Sequence, residues 1–101
     1  MDLKDLAAEM TRFVTAKGWF AADSPRPQTP RNIATSLAIE AAEVLEHFQW
    51  GDQTTDRTEL AAELADVGLY LLELAAVSGI DLEQAMLDKL HKNYGRTWDA
   101  K

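Results

Sequence analysis

Among the acidic residues that stand three apart in this chain are Glu40 with Glu43 and Glu63 with Asp66. On a helix, side chains at i and i+3 are neighbours, so each pair presents two carboxylates to one point. At about 100° per residue, Glu40 falls in the middle of an apolar stripe made by Ile33, Leu37, Val44 and Phe48. Glu43 falls at the flank of that stripe, and Glu46 points to the far side. Glu63 sits at the edge of a second stripe, Leu60, Leu64, Val67, Leu71 and Leu74, with Asp66 farther round on the same flank as Tyr70 and Glu59. Acidic pairs at this spacing are common on exposed helix faces, where they only solubilise. An acid on an apolar face, with the pattern repeated on consecutive helices, has no such explanation. Four carboxylates gathered beside a core repel one another and lose hydration. A divalent cation removes both penalties, and an all-oxygen ligand set suits Mg2+ or Mn2+ rather than Zn2+.

A di-iron centre also gathers carboxylates between helices, but it expects Glu-x-x-His on two of them. The two histidines, His47 and His91, do not stand three residues after a glutamate. His47, four residues after Glu43, reads as a bystander or substrate contact rather than a ligand. Opposite charge comes near the C-terminus, where Lys89, Asn93 and Arg96 fall on one helix flank and Lys92 slightly farther round. Cations facing a metal–carboxylate site would share the charge of a polyphosphate; near a helix C-terminus they also simply complement the macrodipole. Among the aromatics, Phe13 and Phe48 read as core, and Trp50 and Tyr70 as base contacts, with Trp19 and Trp98 as further stacking candidates.

Helices must position these groups, and the sequence predicts four of them. The first carries Leu3, Leu6, Met10, Phe13 and Val14 and stops at Gly18. A loop with Pro25 and Pro27 leads to Thr29 and Pro30, an N-cap and first helical residue. The second helix is predicted from Pro30 to Trp50, and Gly51 to Thr55 is short enough to make the third an antiparallel neighbour. Asp56 with Glu59, and Asp81 with Gln84, have capping-box spacing at the starts of the third and fourth helices. Ser78-Gly79 ends the third, and Gly95 marks the end of the fourth. The expected architecture is an all-α, antiparallel four-helix bundle forming a single domain over residues 1–101.

Composition agrees with that reading and narrows the function. The 101 residues include five Gly, three Pro and no Cys, which favours helix and excludes disulfides and thiolate metal sites. A net charge of −7 and a pI near 4.6 repel a nucleic-acid polymer, although a bound metal can reverse the sign locally for a small phosphorylated ligand. The charged opening Met1-Asp2-Leu3-Lys4-Asp5 does not resemble a secretory signal. The most apolar stretch, Val67 to Ile80, is interrupted by Glu73 and too short to span a bilayer. The expectation is a soluble cytoplasmic protein without a membrane partner.

The acidic words also resemble a known family. Glu40-Ala-Ala-Glu43 followed by Glu63-Leu-Ala-Asp66 is similar to the Glu-x-x-Glu … Glu-x-x-Asp signature of the MazG-like, all-α nucleoside triphosphate pyrophosphohydrolases. Pro30-Arg31-Asn32, Phe48-Gln49-Trp50 and Lys89-x-x-Lys92-Asn93-x-x-Arg96 look like the dCTP pyrophosphatase branch, with Arg96-Thr97-Trp98 where that branch usually has Arg-Tyr-Pro. The resemblance implies that Glu40, Glu43, Glu63 and Asp66 hold Mg2+, with Mn2+ an alternative. It implies that Trp50 and Tyr70 border the base, and that Lys89, Lys92, Asn93 and Arg96 approach the phosphates. It also implies a homodimer or homotetramer in which neighbouring subunits complete the site. The activity implied is hydrolysis of a nucleoside triphosphate to monophosphate and pyrophosphate, with dCTP-like or non-standard nucleotides as substrates and Glu40 or Glu43 orienting or deprotonating the attacking water. A phosphoribosyl-ATP pyrophosphohydrolase and a non-catalytic helical dimerisation module are the alternatives.

Overall fold

The computed structural model describes residues 1–96, so Trp98 lies outside the described residues. Four helices occupy the described chain: α1 (Leu3–Ala16), α2 (Pro30–Glu46), α3 (Arg57–Val77) and α4 (Leu82–Tyr94). The N-cap residues satisfy the orphaned first-turn amides. Thr29, Asp56 and Asp81 accept from the amides of Asn32, Glu59 and Gln84, as their spacing predicted. Gln84 does not complete a capping box; its amide donates to Asp88 at 2.8 Å instead. A full reciprocal box occurs at α1, between Asp2 and Asp5.

Gly18 and Gly79 end α1 and α3 with φ of 73° and 71°. Each lets the following amide turn back on the last helical turn, Trp19 N–H to Val14 O at 3.2 Å and Ile80 N–H to Ala75 O at 2.8 Å. The second helix is shorter than its apolar pattern predicted and stops at Glu46 rather than Trp50. From His47 the amides reach back only three residues, His47 to Val44, Phe48 to Leu45 and Gln49 to Glu46. The His47 ring meanwhile meets Thr54 across the connection, Nδ1 to Oγ1 2.6 Å.

Helix α3 is the hub. It packs along α2 and against α1, and touches α4 weakly, whereas α2 comes close to neither α1 nor α4. A closed four-helix bundle is therefore not what one chain forms. The antiparallel pairing of α2 with α3 follows from its contacts: His47 meets Glu63, near the start of α3, while Ile33, at the other end of α2, shares a cavity wall with Tyr70 and Glu73. The core is small, with Met10 and Val14 from α1, Ile33 from α2, and Leu72 and Ala75 from α3. Its larger side chains, Met10, Val14, Ile33 and Leu72, contribute about 1.5–3 kcal/mol each. Much apolar surface stays outside, including Ile39 and Leu45 on α2, Leu64 on α3, and Met86, Leu87 and Leu90 on α4. The chain exposes 7836 Å², against roughly 5,700 Å² for a compact monomer of its mass. Its radius of gyration, 16.3 Å, likewise exceeds the ~12.7 Å of a compact chain this long.

Candidate active site

The antiparallel α2–α3 pair brings the four predicted acids together. Glu40 and Glu43 are half-buried on α2, Glu63 is half-buried on α3, and Asp66 is exposed one turn farther along. Glu46 faces solvent. Burial is the largest cause pushing the Glu40 carboxyl above its ordinary range, followed by the charge of Glu43, a hydrogen bond with Glu43, and the charges of Asp66 and Glu63. Glu40 Oε2 is buried without a hydrogen-bond donor. Glu63 Oε2 is buried as well; His47 Nε2 lies 2.6 Å away, but off the line of a hydrogen bond. An all-oxygen donor set with an orphaned buried oxygen and mutual repulsion fits a hard divalent cation. Among the described residues, no three of these groups yet stand at coordinating geometry, so side-chain rotation would have to close them on an ion.

His47 has more to do than its sequence position suggested. Its ring lies between the Thr54 hydroxyl, hydrogen-bonded with Nδ1 at 2.6 Å, and the Glu63 carboxylate, 2.6 Å from Nε2. Its side chain is 12% exposed and that of Glu63 14%. The ring therefore packs beside the Glu63 carboxylate and restricts where that side chain can turn. The spacing of Glu43 and His47 gave no sign of this, because the contact crosses from one helix to the other.

Beside the acids opens a cavity of about 730 Å³ between α1, the 17–29 loop, the start of α2 and the middle of α3. Asp66 belongs to both the acidic cluster and the cavity wall, and Tyr70 follows one turn on. Trp19 stands on the loop side, edge-on to Phe13 with centroids 5.6 Å apart, and the Arg26 guanidinium lies 5.7 Å from its ring centre. The cavity wall also holds Glu73, buried on α3, which the sequence showed only as an interruption of an apolar run. Its spacing from Tyr70 and Asp66, three and seven residues, was the signal that it shares their face.

The remaining predicted substrate residues are not on that wall. Trp50 is 91% exposed beyond the end of α2. On α4, Lys89 and Lys92 are exposed and Asn93 is half-buried, while Arg96, just past the helix, is exposed. In one chain α4 does not pack on α2.

Known proteins are similar to this chain in sequence, and one solved structure shares its fold. The mouse and bovine enzymes called dCTP pyrophosphatase 1 are 32% and 33% identical to this chain over 93% of its length, and the human one 32%. The chain spans 58% of the length of these relatives. The crystal structure of a pyrophosphatase from Archaeoglobus fulgidus superposes with a TM-score of 0.72 at 34% identity, covering 90% of this chain and 87% of that one. Residues 35–99, which carry both acidic words, match the MazG-like family. The chain belongs to that family.

Proposed function

We propose that this chain hydrolyses nucleoside triphosphates to monophosphate and pyrophosphate in a metal-dependent reaction. The observation that carries the reading is Asp66, which joins the repelling carboxylates of α2 and α3 to a cavity large enough for a nucleoside. Glu40, Glu43, Glu63 and Asp66 would hold Mg2+ or Mn2+. The bound ion supplies positive charge against the polyphosphate and acidifies coordinated water. Glu40 or Glu43 orients the attacking water and takes its proton. The water oxygen bonds to the α-phosphorus, the bond from that phosphorus to the bridging oxygen breaks, and pyrophosphate departs with the bond's electrons. His47 keeps Glu63 in place, and Tyr70 borders the base.

We also assign a homodimer as the smallest working unit, with a homotetramer as the alternative. A chain exposing about 2,000 Å² more than a compact monomer has the area of a permanent interface to cover. A second chain would bring Trp50 and the α4 residues Lys89, Lys92 and Asn93, with Arg96, into a site that one chain leaves open. Sedimentation at micromolar concentration should show at least twice the 11.2 kDa of one chain, and a monomer alone would refute the shared site.

The direct test is pyrophosphate release from a panel of nucleotides with and without Mg2+. Release that needs the metal, with dCTP the best substrate, is the expected result. Phosphoribosyl-ATP as the preferred substrate would move the chain to the other branch of pyrophosphohydrolases. No release from any nucleotide by the assembled protein would leave a helical dimerisation module.

A further inference from the structure

The cavity holds one ionisable group to which the catalytic reading gives no task. Glu73 is 3% exposed on the cavity wall, and its Oε2 meets no hydrogen-bond donor among the described residues. A polar oxygen buried in this way lowers stability, and a leucine here would simply extend the apolar run of α3. The other charged side chains on the wall already have contacts. Glu9 pairs with Arg12, Arg26 lies over Trp19, and Asp66 belongs to the acidic cluster. Burial pushes the Glu73 carboxyl above its ordinary range. The neutral acid that this favours offers a hydroxyl donor and a carbonyl acceptor side by side.

We infer that Glu73 reads the base, pairing with an edge that sets an exocyclic amine beside an unprotonated ring nitrogen, as cytosine and adenine do. The carbonyl oxygen of Glu73 accepts from the amine, and its hydroxyl donates to the ring nitrogen. A thymine or uracil edge also makes two bonds with a carboxylic acid, but its acceptor is a weakly basic carbonyl oxygen. The ring nitrogen of cytosine or adenine is the better acceptor, so the neutral carboxyl makes its stronger hydrogen bond there. The spacing suits the task. Glu73 lies seven residues beyond Asp66, about 10 Å along the helix axis, comparable with the reach from an α-phosphate across the sugar to the far edge of a base. Trp19 and Tyr70 on the same wall supply faces on which a base can stack. The inference rests on the pyrophosphohydrolase reading for the identity of the ligand as a nucleotide, and it adds which part of the nucleotide is recognised, and by which group.

The test is an NMR titration of the full chain with dCMP, dAMP and dTMP in EDTA, where neither hydrolysis nor metal enters. The unsubstituted protein should bind dCMP or dAMP about tenfold more tightly than dTMP, the size of one net hydrogen bond. The stronger of those two reports whether the cavity takes a pyrimidine or a purine. Glu73→Leu should bring the preferred nucleotide and dTMP within about twofold of each other, because both lose their partner. Glu73→Gln keeps a donor and an acceptor but has no acidic proton, so the preference should narrow severalfold. A Leu variant that keeps the full preference overturns the assignment, and so does an unsubstituted protein with none. Should the Leu variant melt below the unsubstituted protein, the isosteric Gln variant carries the test, and an unchanged preference there is equally fatal. Failure of the catalytic reading looks different: base-selective binding without pyrophosphate release from dCTP removes the catalysis and leaves the base site. Pyrophosphate release with a base preference indifferent to residue 73 does the reverse.

Discussion

Two neighbouring regions of this protein each hold a carboxyl raised above its usual range, and they differ in what raises it. At Glu40 burial acts together with the charges of Glu43, Asp66 and Glu63. At Glu73, on the adjoining cavity wall, burial acts alone. A group of acids that repel one another is relieved by a cation, which favours the ionised forms of all of them. A solitary buried carboxyl is relieved by a hydrogen-bond partner and stays protonated. The same residue type is thus proposed for a metal site in one place and for a ligand-reading group in the other, and the difference in its neighbours supports that division.

The largest effect should come from breaking the acidic group. Glu40→Gln, Glu63→Gln and Asp66→Asn should each lower kcat/KM by more than about 100-fold, since even groups behind metal ligands commonly cost 10–100-fold. Glu46→Gln, on the solvent face of α2, should leave activity nearly unchanged. Equal losses at Glu46 would mean that the wrong face of α2 has been assigned. A smaller effect is expected at His47, which touches Glu63 from the far side. His47→Ala should raise the Mg2+ concentration for half-maximal activity by about 10-fold or more, with little change at saturating metal. A loss that no Mg2+ concentration restores would place the imidazole on the substrate instead.

The smallest effect is one of stability, and it depends on metal in one region but not in the other. Without ligand, Glu73→Leu should stabilise the protein by about 1–3 kcal/mol at neutral pH, by removing a buried, unpaired polar group. The sign with pH follows from the raised folded-state pKa of Glu73. Proton uptake by the folded state favours folding below that value, and the advantage disappears as pH rises through it. The gain from Glu73→Leu should therefore be largest at neutral or higher pH and shrink as pH falls toward the ordinary carboxyl value of 4.5. Adding Mg2+ should leave this difference unchanged. Glu40→Gln should also raise the melting temperature without metal, but Mg2+ should cancel its advantage by stabilising the unsubstituted protein more. Thermal melts of both variants, with Mg2+ and with EDTA, check the contrast.

Helix periodicity made the Glu40 region legible because its signal is local. An acid inside an apolar stripe, repeated at i+3 on two helices joined by a short connection, requires only the antiparallel pairing of α2 and α3 to converge. The caps at Thr29, Asp56 and Asp81 and the stops at Gly18 and Gly79 were legible for the same reason, since each depends on a few adjacent residues. The contact of His47 with Glu63 and the cavity around Glu73 depend on how separate elements meet, and no local pattern encodes that. Four amphipathic helices pointed to an antiparallel bundle, and in one chain α2 packs on α3 without meeting α4. Amphipathic periodicity says that a face will be covered, but it does not say whether the cover comes from the same chain or from another.

The position of water attack tests the central claim most directly. With dCTP hydrolysed in ¹⁸O-labelled water and Mg2+, attack at the α-phosphorus predicts one labelled oxygen in dCMP, unlabelled pyrophosphate, and neither dCDP nor orthophosphate as a product. Label confined to pyrophosphate would move the attack to the β-phosphorus and contradict the assignment. Accumulation of dCDP with labelled orthophosphate would show a phosphatase working from the γ end instead.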